Sequence, residues 1–159
     1  MTGEELERYV RLYYSSVYSA ALCRCKNRDD AYDIAQDVFL KLFVHEGSFT
    51  EDEHVKAWLL RCTLNRSNDL LRSYRHRAAE PNRTPAHDPR EQFARTESSL
   101  IPALMKLGKK NRTVLYLHYY EGYSAEEIGD MLGVSVAAVR GRLLRGKNKL
   151  RKLLESEGY

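Results

Sequence analysis

Apolar residues recur along this chain at intervals of three and four, the period of an α-helix, and no run at intervals of two marks a strand. The first such stretch, Glu4 to about Lys26, places Leu6, Val10, Tyr13 or Tyr14, Val17 and Ala21 on one side. The next runs to about Phe43, with Ile34, Ala35, Val38, Phe39 and Leu42 inward, Asp29 or Asp30 as its N-cap and Gly47-Ser48 at its end. A short polar segment from Phe49 to His54 leads into a long helix from about Val55 to Tyr74. Its predicted apolar positions are Val55, Trp58, Leu59, Cys62, Leu70 and Leu71.

From His76 to Glu97 the periodicity lapses. Pro81, Pro85 and Pro89, among Asn82, Thr84 and Asp88, leave no apolar face, so this stretch reads as a linker. Helical patterning then resumes. Ser98 or Ser99 can cap a helix that tolerates Pro102 in its first turn and stops at Gly108. Asn111 to Tyr120 is the next helix, ended by Gly122, and Ser124 with Glu127 forms a capping box for another. The predicted fold class is all-α: two small helical domains, 1–77 and 98–159, joined by a flexible linker over 78–97. Each domain is close to the lower limit of about 60 residues at which a chain buries enough surface to fold alone.

The second domain contains the spacing of a helix-turn-helix. Ser124 to Leu132 is the supporting helix, Gly133-Val134 the turn, and Ser135 the cap of the recognition helix. Ile128, Leu132, Val134 and Val139 fall where the two helices must pack; Gly129 permits their close approach, and Gly133 can take the positive φ of the turn. In such a unit the start of the second helix enters the major groove, which makes Ala137, Ala138, Arg140, Gly141 and Leu144 candidates to face bases or backbone. Arg140 can grip a guanine edge with two hydrogen bonds, and Arg142, Arg145 and Lys149 suit phosphates.

Charge agrees with that reading. Residues 1–77 hold 12 Lys and Arg against 12 Asp and Glu, and residues 98–159 hold 11 against 6, so the net +4 lies in the last third. The run Arg140, Arg142, Arg145, Lys147, Lys149, Arg151 and Lys152 has no acid within it. A polyanion would attract it, although a solvated helix whose cations complement its negative end has the same composition.

Asp29, Asp30, Asp33 and Asp37 invite a metal-dependent nuclease reading, but Asp33, Asp37 and Lys41, one turn apart, suit an ion-pair ladder, and no His or Glu nearby completes a ligand shell. No metal and no cofactor is expected. Cys23, Cys25 and Cys62 lack the spacing of a zinc set with His45 or His54, and their odd number without a signal peptide predicts thiols in a reducing cytoplasm. No apolar run reaches the roughly 20 residues of a membrane span.

Three stretches, Asp30 to Lys41, Phe49 to Asp69 and Leu117 to Leu154, together resemble the extracytoplasmic-function sigma factors of bacterial RNA polymerase. The resemblance covers most of the chain in order, and it implies sigma region two over about 4–77 and region four over about 98–155. It further implies that the helix bearing Asp33, Gln36, Asp37, Leu40 and Lys41 docks on the β′ clamp helices of core RNA polymerase, and that the β flap is a second contact. Phe49, His54, Lys56, Trp58, Arg61 and Asn65 would meet the unwound non-template strand of the minus-ten element. His118, Ala137, Ala138, Arg140, Gly141, Leu144 and Arg145 would meet the minus-thirty-five duplex. An anti-sigma factor, often membrane-bound in the family, is the implied regulator. Nothing in the chain resembles sigma regions one-point-one or three, in keeping with the short type. Gly141 departs from the serine that the family often has there.

Two of these expectations have a bland counterpart. Trp58, the sole tryptophan, is as well suited to fill the core as to stack on a base, and Asn65 with Asp69 can be a simple polar pair one turn apart. Reach is adequate: the 22 residues from His76 to Glu97 extend to at most about 70 Å, against about 50 Å between elements one and a half DNA turns apart. The expected function is therefore promoter selection for core polymerase, without catalysis by this chain. The rival is a stand-alone helix-turn-helix repressor or activator, which ordinarily needs a dimer, and no heptad zipper is present to make one.

Overall fold

The structure, a computed structural model, describes residues 1–76 and 100–156. The described residues form two separate units, one on each side of 77–99. The proposed linker, and Ser98 and Ser99 as caps, lie outside the described residues.

The first unit packs three helices: α1 (Gly3–Cys25), α2 (Arg28–Phe43) and α3 (Asp52–His76). A capping box starts α1, in which the Thr2 hydroxyl accepts from Glu5 N at 3.1 Å and Thr2 N donates to the Glu5 carboxylate at 2.9 Å. Asn27, not Asp29 or Asp30, caps α2, accepting from Asp30 N at 2.9 Å. The two aspartates sit inside the first turn, where their charge still favours the positive end of the helix.

α3 begins at Asp52, three residues before the expected start, because α1 anchors it there. Arg8 grips the Asp52 carboxylate with two bonds of 2.8 and 3.0 Å, and the Tyr13 hydroxyl donates to the Asp52 carbonyl at 3.1 Å. The hydrogen-bonded guanidinium holds the Asp52 carboxyl below the usual carboxylate range.

Val17, Leu22, Ile34, Leu42, Leu59 and Leu60 are fully buried where the three helices meet. Each contributes about 1.5–3 kcal/mol through removal from water. Thr63 and Ser67 are buried among them; their hydroxyls donate to the Leu59 and Thr63 carbonyls at 2.7 Å, so both are satisfied within α3. Of the three cysteines, Cys23 is buried and the other two are half-buried.

The second unit contains α4 (Leu100–Leu104), α5 (Lys109–Tyr119), α6 (Ala125–Leu132) and α7 (Val136–Ser156). Pro102 lies in the first turn of α4, as expected, but Gly108 does not stop that helix. α4 closes at Leu104 through bonds from Lys106 N to Ala103 O and Leu107 N to Leu104 O, and Gly108 is the N-cap of α5. Val114, Leu115 and Leu117 of α5, Ile128 of α6 and Val139 of α7 form the core. α7 passes close over α5 at Gly146, where a Cβ would stand 2.9 Å from Leu115 Cδ1 and 3.2 Å from Asn111 Cβ.

No described helix is long and apolar enough to cross a membrane.

Candidate nucleic-acid and protein-docking faces

α6 and α7 form the expected helix-turn-helix. Ser124 and Glu127 make the capping box, with bonds of 3.1 and 3.0 Å. Gly133 takes φ +68°, and the Ser135 hydroxyl accepts from Ala138 N at 3.0 Å to start α7. Gly129 is buried against the turn, and a Cβ on it would stand 2.9 Å from the Val134 carbonyl oxygen. The backbone itself thus requires glycine at 129.

Opposite the buried Val139 and Gly146, helical geometry places Ala137, Gly141, Leu144 and Asn148 on the outward face of α7. Leu144, an apolar side chain, is 62% exposed there. Cations flank the face. On one side Arg140 Nη2 meets Glu126 Oε1 of α6 at 2.9 Å. Both side chains are more than half exposed, so the pair adds little stability and leaves the guanidinium able to exchange partners. On the other side Arg142 and Arg145, with Gly108, Lys109, Lys110 and Asn111 at the start of α5, line a cleft of about 370 Å³. His118 is not on α7. It lies on α5, edge-on to Tyr119, with Nδ1 donating to the Tyr123 carbonyl at 2.8 Å.

In the first unit, α2 exposes Asp33, Gln36, Asp37, Leu40 and Lys41 together. Sequence reasoning missed the apolar part of this face: Tyr32, Phe43 and Val44 are 53%, 43% and 72% exposed beside Leu40 at 62%. The spacing of Tyr32, Gln36, Leu40 and Phe43 was the available signal. The expected ladder does not form, because Asp37 turns instead to Arg66 of α3, Oδ2 to Nε 3.1 Å. Asp69 likewise pairs with Arg72 at 2.9 Å rather than with Asn65. Asp37, Val38, Lys41, Cys62, Asn65, Arg66 and Asp69 surround a small cleft of about 100 Å³, and burial pushes the Cys62 thiol above its usual range.

His54, Trp58, Arg61 and Asn65 recur at four, three and four along one side of α3. Lys56 falls on the other side, half-buried. Trp58 is half-buried rather than part of the closed core, and it packs against His45 at 4.8 Å and Phe49 at 5.9 Å between ring centroids. His45 completes this aromatic cluster, stacking on Phe49 at 5.2 Å, and periodicity gave no hint of it because it lies between helices. Arg8 and Tyr13, which hold Asp52 directly after this segment, were also missed.

Fold and surface together define a helix-turn-helix protein with a second helical module. The second unit matches the family model for Sigma-70 region 4 over residues 99–150, and the first matches Sigma-70 region 2 over residues 9–77. RNA polymerase sigma factor CarQ of Myxococcus xanthus is 35% identical over 129 residues, covering 78% of this chain and 74% of CarQ. ECF RNA polymerase sigma factor SigE of Mycolicibacterium smegmatis is 33% identical over 157 residues, covering 93% of this chain and 61% of SigE. RfaY of Xanthomonas campestris pv. campestris is 29% identical over 160 residues, covering 92% of this chain, which spans only 40% of that protein.

Among solved structures, CnrH in complex with the cytosolic domain of CnrY matches with a TM-score of 0.68 at 29% identity, over 98% of this chain and 90% of CnrH. The sigma factor RpoE in complex with the anti-sigma factor NepR from Bartonella quintana shares the fold, with a TM-score of 0.69 at 20% identity over 96% of this chain and 98% of RpoE. The chain belongs to the extracytoplasmic-function family of RNA polymerase sigma factors.

Proposed function

We propose that this chain directs core RNA polymerase to particular promoters, acting in the cytoplasm and contributing no catalytic group of its own. The observation that carries this is one chain holding two unlike open faces. α2 and its C-cap offer an exposed mixed face of Tyr32, Leu40, Phe43 and Val44 beside Asp33, Gln36, Asp37 and Lys41, which suits a protein surface. α7 offers a cation-flanked face of groove-entering size, which suits paired DNA.

In this reading α2 docks on the β′ clamp helices and the second unit meets the β flap. The His45–Phe49–Trp58 cluster with Arg61 and Asn65 receives the unwound minus-ten strand, and α7 reads the minus-thirty-five duplex. An aromatic surface repays a lost base stack by about 1–3 kcal/mol per base, which is the term strand capture needs. An anti-sigma factor would act by covering these same faces; RpoE, which shares the fold, was solved with such a partner.

Run-off transcription with purified core polymerase tests the proposal. Defined start sites are expected only when the chain is added. Tight specific duplex binding by the chain alone, with no transcript, would instead mark a repressor. A second expected outcome concerns the dock. Asp37→Lys sets a cation beside Arg66 and Lys41 and is expected to weaken core affinity about tenfold, the scale of one lost charged contact. Duplex binding by the second unit should not change. Affinity measured by fluorescence anisotropy on labelled full-length chain decides it, and an unaltered value removes this edge of α2 from the interface.

A further inference from the structure

α7 carries two glycines in its interior, Gly141 and Gly146, although glycine is the poorest ordinary helix former. Gly146 has a packing reason, since a Cβ there would strike Leu115 and Asn111 of α5. Gly141 has none of that kind. Outside the backbone of α7 itself, the three atoms nearest to a Cβ at 141 would all belong to the guanidinium of Arg145, with Nη1 at 3.1 Å, Nη2 at 3.6 Å and Cζ at 3.7 Å.

The burial pattern agrees. Of the four outward positions of α7, Ala137, Leu144 and Asn148 are exposed, whereas Gly141 is half-buried. Long helical side chains lean toward the N-terminus, over the residue four positions earlier. Arg145 does so here, starting from the flank of α7 beside the α5 cleft and bringing its fork onto the middle of the outward face. A Cβ at 141 would press on the fork at 3.1 Å and push it off its present seat on the face. Arg140, on the opposite flank, is drawn away toward Glu126, which leaves Arg145 as the cation nearest the centre of the face.

We propose that Gly141 and Arg145 act as one specificity determinant, in which the missing side chain at 141 lets the Arg145 guanidinium lie flat on the recognition face and read a guanine edge in the upstream element. The inference rests on the promoter-directing reading above. A guanidinium fork presents paired donors to guanine O6 and N7, and one such pair discriminates against other bases on the scale of tenfold. Position 141 thereby sets sequence preference without touching DNA itself: it is a positioning residue for Arg145.

The test uses full-length chain with core polymerase, a pool of random-sequence duplexes, and sequencing of the templates that yield transcript. Wild type is expected to enrich a guanine at one upstream position. Gly141→Ala should reduce that guanine preference about tenfold, Arg145→Ala should reduce it equally, and the double variant should reduce it no further. Gly141→Ala should also melt no lower than wild type, because alanine favours the helix, so its loss of preference cannot be put down to unfolding. An unchanged base profile in Gly141→Ala overturns the proposal. So does a loss spread evenly over all sequences, which would mark a phosphate contact, or a double variant whose loss is the product of the two. A wild-type chain that starts no transcript at all would overturn the parent reading, a result distinct from altered selection by a working factor.

Discussion

Gly129→Val is expected to unfold the second unit and to abolish upstream duplex binding, with its contact to the β flap, while the α2 dock on core polymerase stays in place. Adding only a Cβ at 129 brings carbon to 2.9 Å from the Val134 carbonyl oxygen, and that oxygen belongs to the turn, which has no free side chain to move aside. The turn is also fixed from the other direction, since Val134 N donates to Gly129 O at 3.0 Å and Gly133 already stands at φ +68°. Overpacking of this kind costs about 3 kcal/mol, a large share of what so small a unit has to lose. A circular dichroism melt showing one transition lost, together with anisotropy on labelled duplex, is the measurement. Retention of a wild-type melt would mean that the α6–α7 approach is looser than these distances require. Gly141→Ala is the natural control: both changes add an apolar side chain to a helix glycine of the same unit, and opposite effects on stability are expected.

Trp58→Ala should cost about 2 kcal/mol in the first unit, less than a fully buried tryptophan because this one is half exposed. Its larger effect is on transcription. Without the indole, His45 and Phe49 lose the ring that both of them touch, and capture of the unwound strand loses its aromatic floor. Run-off product from closed duplex should fall about tenfold or more, since one stacking contact is worth about 1–3 kcal/mol. A template with a pre-opened bubble should restore most of it. Equal loss on both templates would assign Trp58 to packing alone.

Much of this could be read from residue order. The helices of both units follow from apolar spacing at three and four, and the helix-turn-helix was legible in Ser124, Gly129, Gly133 and Ser135, because each answers a local demand of capping or backbone conformation. What escaped was set by distant partners. α3 starts at Asp52 because Arg8 and Tyr13, about forty residues earlier, hold it there. Asn27 outcompeted two equally eligible aspartates as a cap, a choice that local composition does not decide. Gly108 reads alike as a helix end or a helix start. The ladder imagined along α2 failed because Asp37 found Arg66, 29 residues away, a nearer counter-ion than Lys41 one turn along. The functional faces were placed from family resemblance, and their fine structure (the His45 cluster, the apolar side of α2, Arg145 folded over Gly141) exists only once side chains have neighbours.

Apart from the Glu127 arm of its capping box, the helix-turn-helix is built from neutral parts: serine caps, glycine turns and an apolar seam of Ile128 and Val139. The flanks of the outward face of α7, by contrast, carry Arg140, Arg142 and Arg145. Ionic strength therefore acts on these two layers separately, since dissolved ions screen charge on the scale of about 10 Å at 0.1 M and displace polycation from polyanion steeply, yet they hardly touch a hydroxyl cap or a buried leucine. Under the proposed reading, a cell whose potassium level swings would thus tune occupancy of the upstream site while the module keeps its shape.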